Sequence, residues 1–408
     1  MLTMKQHVVN DLDDIYKQYK HKYDAVGIYS LRAPQLLVVN PELARRVFVS
    51  NFRNFHDNEL SKSVDEKNDF IFSNNPFTLT GEQWKSRRAD VTPGLSNGRI
   101  KTVYPVTSQV CQRLSEWVEK QIRLGSADGI DAKHHFPSLR HLIKLRFVPL
   151  KVEHFFVDLM GSAVEARRAQ LANGKLFERT DFLDYILELG KKRSLDNRQL
   201  LAYSMTFLLD GFETTATVLA HLLLNLGRNA EAQERLRKEI SAHLQDGVIA
   251  FDKLNDLPYL DACVQETIRL FPPAFMSNKL CTEAIEIPNK DGPNFVVEKG
   301  TTVIVPHYCF MMDEEIFPDP QSFQPDRFME PDAAKTFRER GVFMGFGDGP
   351  RVCIGMRFAT SQIKAAIVEL ISKFNVKINA KTRKDNQYDP AQIITGLNGG
   401  IWLDLEKL

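Results

Sequence analysis

From Asp196 to Arg228 the chain carries apolar residues on nearly every face of a helical wheel, among them Leu200, Met205, Phe207, Leu219, Leu222 and Leu224. A helix without a polar face cannot lie on a surface, so other elements must enclose it. At 1.5 Å per residue it runs for about 50 Å, which sets the scale of whatever is built round it. A bilayer would be the other enclosure, but Asp210 and Glu213 fall at its centre and are costly to bury in lipid. The chain is therefore organised round a helix through its middle. Within it, Asp210-Gly211-Phe212-Glu213-Thr214-Thr215 interrupts the apolar pattern. Gly211 weakens a helix by up to about 1 kcal/mol relative to alanine, and the Thr214 hydroxyl can bond a carbonyl one turn back. Together they permit the hydrogen-bond ladder to open locally. An acid beside a hydroxyl in a dry setting is what a proton relay requires; the plainer alternative is a polar kink in a core helix. Asp210, if buried, must pair nearby or rise in pKa.

A second constraint is the run Phe346-Gly347-Asp348-Gly349-Pro350-Arg351-Val352-Cys353-Ile354-Gly355. Two glycines and a proline forbid regular structure, and a helix-periodic run from Ile354 to Phe374 follows. The thiol thus falls at the start of a helix, where unbonded amides and the helix dipole favour a thiolate. Gly349 and Gly355 leave room for a flat ligand on both sides of the sulfur, Arg351 offers a forked donor for a carboxylate, and Phe346 is placed to shield the thiol from water. A flat, carboxylate-bearing ligand that seeks a thiolate is haem; the alternative is an inert buried cysteine in a glycine-rich turn.

With every defined position filled, this run resembles the haem-binding signature Phe-x-x-Gly-x-Arg-x-Cys-x-Gly of the cytochromes P-450. Three further motifs resemble that family's in the same order: Trp84 with Arg88, Glu213-Thr214, and Glu266/Arg269 with Arg327 in Phe323-Gln324-Pro325-Asp326-Arg327-Phe328. The nearest likeness is to animal microsomal members of the xenobiotic-metabolising, insect-like kind. The resemblance covers most of the chain and implies a mainly α fold with a minor β part, with haem b between the central helix and the Cys353 loop. It makes Cys353 the axial ligand, whose electron donation favours O–O cleavage, and Glu213 and Thr214 the proton relay. Trp84 and Arg88 become donors to a haem propionate, although such a pair alone is more often a surface cation–π contact. Lys279 stands where many relatives have a propionate-binding arginine and serves as a point charge without the fork. Glu266, Arg269 and Arg327 become a structural clamp behind the cysteine loop, with no catalytic role.

The implied reaction inserts one oxygen atom from O2 into a small apolar substrate, with electrons from NADPH through a reductase and cytochrome b5 as a further candidate donor. Lys85, Arg87 and Arg357 are candidates for docking an acidic reductase surface, or ordinary solvated charges. Relatives sit on the cytoplasmic face of the endoplasmic reticulum membrane by an N-terminal helix. Here the N-terminus has no apolar run of 18 residues or more, so the chain reads as one domain over 1–408 lacking that anchor. It also reads as internally shortened around 126–136, where relatives carry helices that roof the pocket. The missing anchor and that loss favour one rival, a haem-binding remnant without turnover; a second rival is a peroxide-dependent or isomerising haem-thiolate enzyme. Retention of Glu213-Thr214 argues against the second.

Along the rest of the chain, residues 5–22 read as a polar surface helix, Gly27–Leu31 and Gln35–Asn40 as a hairpin, and Pro41–Phe48 as a helix capped by Asn40. Residues 51–78 read as a long loop, 81–88 and 101–125 as helices, and helical periodicity resumes at 150–172 and 180–189. Helices follow at 229–243 and 257–271, then short strands near 278–282, 295–298, 301–306, 374–378 and 400–403.

Fifty-three basic against 52 acidic residues leave a net +1, which gives no bulk charge for nucleic acid. Five cysteines at irregular spacing, with no C-x-x-C, point to a reducing compartment.

Overall fold

The computed structural model describes residues 6–408 except 31, 66–68, 125–128, 133–149, 173–180, 246 and 290–291. Most of the 126–136 junction and the basic-apolar stretch after it lie outside the described residues. The chain forms two compact units, one of Met1–Phe55, Val106–Arg140 and Thr214–Leu408, the other of His56–Pro105 and His141–Glu213.

The first unit opens with α1 (Val8–Tyr19), whose first turn is capped by the His7 ring accepting from Val9 N–H at 3.2 Å. Sequence reading made this a polar surface helix, but Val9, Leu12 and Tyr16 are buried, and the Tyr16 hydroxyl donates to Asp313 at 2.6 Å. The hairpin β1 (Ala25–Ser30) and β2 (Ala33–Val38) forms as expected, with antiparallel register from Ala25↔Val38 to Ser30↔Ala33. Helix α2 (Pro41–Phe48) follows; the Asn40 side chain accepts from Glu42 and Leu43 N–H, and Pro41 occupies the first turn, where no intrahelical donor is needed.

In the second unit, residues read as a loop contain β3 (Asp57–Asn58), single 3-10 turns and the one-turn helix α3 (Phe70–Ser73), which are too short to show a period in sequence. Then come α4 (Gly81–Val91) and α5 (Asn97–Arg123). Helix α5 passes into the first unit after Pro105 and is followed there by β4 (Ile130–Asp131). Back in the second unit, α6 (Leu150–Ala172) and α7 (Phe182–Arg193) precede the central helix α8 (Asn197–Arg228). Phe156 and Met160 of α6 pack with Ile71, Leu201 and Met205 in a small core of that unit.

Helix α8 is long and apolar enough to cross a membrane by composition, yet Leu222, Leu224 and Leu226 are fully buried in protein. It runs without interruption through Gly211, so the local opening allowed by sequence is not formed. Beyond it the first unit contains α9 (Ala230–His243), α10 (Pro258–Leu270), β5 (Ser277–Leu280), β6 (Ile285–Ile287), β7 (Phe295–Val297), β8 (Thr302–Val305), α11 (His307–Met311), α12 (Ala333–Glu339), α13 (Met356–Ile371), β9 (Phe374–Ile378) and β10 (Trp402–Lys407). Strand β8 lies parallel to β2 and antiparallel to β5, which orders these strands β1-β2-β8-β5. A second sheet is ordered β4-β10-β9, and β6 pairs β7. Helices dominate and the strands are few and short, which is the mainly α architecture with a minor β part.

Candidate functional site: the cysteine loop and its supports

The loop before α13 closes on itself. Cys353 N–H donates to Phe346 C=O at 2.8 Å, and Val352 N–H to Gly349 C=O at 3.0 Å. The Asp348 side chain accepts from Gly349 N–H at 2.8 Å, with Arg45 and Arg338 at 4.0 and 3.9 Å from its carboxylate. Gly349 has φ +66, and a Cβ there would lie 2.0 Å from the Phe48 carbonyl oxygen. This corrects one reading of the sequence: the missing side chain at 349 lets the loop touch the end of α2 and does not open a path to a ligand. At Gly355, by contrast, the one atom among the described residues that a Cβ would meet within 4 Å is Cys353 Sγ at 3.9 Å.

Cys111, Cys263, Cys281 and Cys309 are buried, whereas Cys353 is exposed. The expectation of a shielded thiol is not met by the protein alone: Phe346 and Arg351 are half-buried and leave the sulfur open. Openness is what a sulfur must have to bond an atom from outside the chain, and among the five cysteines it singles out this one. Two residues lie between Cys353 and the first residue of α13, with Gly355 at the N-cap position. The residues therefore fit a flat iron-bearing group: a reachable sulfur before a helix start, clearance at Gly355, and a cation at Arg351.

Behind the loop, the clamp forms as read. Arg269 donates from Nε and Nη2 to the two Glu266 oxygens at 2.7 and 2.8 Å, with both residues fully buried. Its remaining donors reach Met311 C=O at 2.7 Å and Pro320 C=O at 2.9 Å. Arg327 Nε approaches Glu266 at 3.4 Å, and Gln324 N–H donates to the same carboxylate at 3.0 Å. A buried ion pair is tolerable only when its donors and acceptors are satisfied in this way. Helix α10 transmits the clamp's rigidity to the loop: a Cβ at Gly345 would lie 2.2 Å from Ile268 Cγ2, so the chain entering the loop rests directly on that helix.

Lys279 on β5 is buried, with its ammonium 5.1 Å from the centre of the Phe48 ring. Phe48 therefore connects Lys279 to the loop, since its carbonyl meets Gly349. Phe48 also meets His307, with ring centres 5.8 Å apart, a residue which no sequence motif marked. Its Nε2 is 2.7 Å from Ser277 Oγ, its Nδ1 is buried without a hydrogen-bond partner, and burial together with the Lys279 charge lowers its pKa to about 3. Unfolded, the ring titrates near 6.5. The folded pKa is the lower one, so this stabilisation is complete above pH 6.5 and is lost as pH falls toward 3. At 1.36 kcal/mol per unit, the loss reaches about 2 kcal/mol by pH 5. His307→Gln is expected to flatten the fall in urea midpoint between pH 7 and 5; parallel curves for the two proteins would refute this assignment.

On α8, Glu213 and Thr214 are half-buried, and the boundary between the two units falls between them. Asp210 does both things its position allowed. Asn75 Nδ2 donates to both of its oxygens at 3.0 Å, and desolvation raises its pKa to about 6 against the pull of that bond. Asn75 lay in the stretch read as a loop and was missed, because nothing local marks a partner 135 residues away.

In the second unit Trp84 is buried and Arg88 half-buried, four apart on α4. Two residues further, Asp90 anchors this helix: Arg193 donates to it at 2.7 Å, the Tyr203 hydroxyl at 2.8 Å, and Tyr185 to its carbonyl. Arg87 is stacked on the Tyr203 ring at 3.8 Å and half-buried, which withdraws it from the candidate docking residues. Lys85 and Arg357 are exposed, and Lys85 pairs with Glu82 at 2.6 Å.

A helical fold with a reachable cysteine in a glycine-braced loop, a buried Glu-Arg-Arg clamp behind it and an acid-hydroxyl pair on a long central helix defines the haem-thiolate class. The cytochrome P450 family model matches residues 1–141 and 133–400, and the chain belongs to that family. It is 74% identical over 459 aligned positions to Probable cytochrome P450 28a5 of Drosophila melanogaster, covering 100% of this chain and 91% of that protein. It is 40% identical to Probable cytochrome P450 28d1 of the same fly, covering 99% and 89%, and 27% identical to Cytochrome P450 6A1 of Musca domestica, covering 100% and 90%. The insect-like branch read from the motifs is thereby shown, as are a monooxygenase activity of the P450 type and a haem cofactor bound through a cysteine thiolate. The family also implies a redox partner, O2 and an organic substrate.

Proposed function

We propose that Cys353 is the thiolate that holds the haem and that this chain oxygenates small apolar molecules with electrons from NADPH through a reductase. The observation that carries this is the exposure of Cys353 alone among five cysteines, in a loop whose signature is complete. When bound, haem supplies activation of O2 and insertion of one oxygen atom. The chain's residues supply the rest. Cys353 would hold the iron through its thiolate, Arg351, Lys279, Trp84 and Arg88 would offset the charge of the propionates, and Phe346 and Gly355 would border the sulfur. Glu213 and Thr214, adjacent on α8, would hold and pass a proton. Lys85 and Arg357 are exposed cations suited to an acidic reductase, with cytochrome b5 as a second donor. An endoplasmic reticulum membrane location follows the microsomal relatives.

A second reading has a specific support. The 459 positions aligned with the 74% identical fly protein exceed the 408 residues here by about 51, and the family model matches in two stretches that meet at 133–141. We infer one P450 domain shortened internally near 126–136, which would bind haem and turn over poorly if the lost residues roof the pocket. The reduced, carbon-monoxide-bound spectrum of the purified chain, followed by NADPH consumption with added reductase, separates the readings. A thiolate-type band with consumption supports monooxygenation; a band without it supports the remnant; no band removes both.

A further inference from the structure

We propose that Asp348 is a positioning residue for the axial thiolate: it fixes the turn that leads into Cys353 by capping it and tying it to α2 and α12. This rests on the haem-thiolate reading above, which makes Cys353 the iron ligand.

Three segments meet at this carboxylate. Its Oδ1 accepts from Gly349 N–H at 2.8 Å and so caps the 3-10 turn Gly349–Arg351. Arg45, in the last turn of α2, brings Nε to 4.0 Å from Oδ2, and Arg338, in the last turn of α12, brings Nε to 3.9 Å from Oδ1. The Arg45 Nε is buried with no hydrogen-bond acceptor among the described residues, and the Asp348 charge faces it. Backbone contacts press the same segments together. A Cβ at Gly341, two residues past α12, would lie 2.1 Å from the Pro41 carbonyl oxygen at the start of α2, just as one at Gly349 would lie 2.0 Å from the Phe48 carbonyl oxygen at its end. Both glycines have positive φ, which other residues adopt only at a cost. Helix α2 is therefore the seat for the end of α12 and for the cysteine loop, and Asp348 is the side chain that joins all three. A capping acceptor outweighs half-exposed ion pairs of this length, so the cap fixes the turn and the two arginines orient the carboxylate for it. The constraint then reaches the sulfur through the backbone, since Val352 N–H and Cys353 N–H donate to the Gly349 and Phe346 carbonyls. Cys353 is exposed, so this backbone, more than burial of the thiol, sets where the sulfur sits. Groups that orient a ligand of a metal decide how well it binds, although they never touch the metal.

The test compares Asp348→Ala with Asp348→Asn, which keeps an oxygen able to cap the turn, in the full chain with and without haem. Asp348→Ala is expected to speed hydrogen exchange at the Val352 and Cys353 amides roughly fivefold, the effect of losing one cap, and Asp348→Asn by less than about twofold. In the haem-loaded protein, Asp348→Ala is expected to convert part of the thiolate-type carbon-monoxide band to the band of a protonated or displaced sulfur, and Asp348→Asn to restore it. A role in general stability alone would lower the urea midpoint without moving the band. The proposal is overturned if Asp348→Ala leaves exchange and spectrum as they were, if exchange rises with the band intact, or if Asp348→Asn fails to restore the band. Absence of the thiolate-type band in the unaltered protein would instead remove the haem-thiolate reading, and the exchange comparison, which needs no haem, would still decide whether Asp348 braces the loop.

Discussion

Cys353→Ser is expected to eliminate the thiolate-type carbon-monoxide band and to lower oxygenase turnover by at least roughly a hundredfold, the scale on which even supporting groups of a metal site act. No other cysteine can take its place, because Cys111, Cys263, Cys281 and Cys309 are all buried. Burial also holds Cys111 in the neutral form, raising its thiol to about 11. The fold should persist, since the bonds that close the loop are made by the backbone at 346, 349, 352 and 353 rather than by the thiol. Circular dichroism should therefore match the unaltered chain while haem content and the band are lost. An unchanged band in this variant would mean that iron is held elsewhere, and the site would have to be reassigned.

The second large effect concerns stability. Arg269→Ala should destabilise the chain by about 3–5 kcal/mol, the cost of leaving a buried charge without its partner. Glu266 would keep only the more distant Arg327 and one backbone donor. Arg269→Lys should recover less than half of that loss. A lysine carries the charge but cannot spread donors over two Glu266 oxygens and the carbonyls of Met311 and Pro320 at once. Urea denaturation of the three proteins reads this directly. Equal stability of the lysine variant and the unaltered chain would show that net charge matters here and fork geometry does not.

Those two sites were legible in the sequence for one reason: each has a local signature. Glu266 and Arg269 stand three apart on a helix ended by two prolines, and Cys353 sits among residues that exclude regular structure. The Asn40–Pro41 start of α2 was legible on the same grounds, since a cap and a first-turn proline are adjacent. What sequence could not supply was the partner across the chain. The Asp210–Asn75 bond, the stacking of Arg87 on Tyr203 and the contact of Gly349 with the end of α2 join residues far apart in number. Gly349 is instructive because its type was explained for the wrong neighbour. A missing side chain shows that something comes close, without saying what. The short turns within 51–78 escaped for a different reason, since four residues are too few to display a period of 3.6.

Helix α8 contributes its first half to one unit and its second half to the other. A helix is made by hydrogen bonds that span four residues, so melting one half strands the carbonyls and amides at the break and removes the neighbouring turn's support. Neither unit can therefore melt without fraying a shared rod at the level of Gly211, where alanine would meet nothing within 4 Å and would resist fraying better. Thermal unfolding of this protein should accordingly proceed as one transition, its sharpness set less by either unit's own packing than by the continuity of α8, with α5 as a second helix shared in the same way.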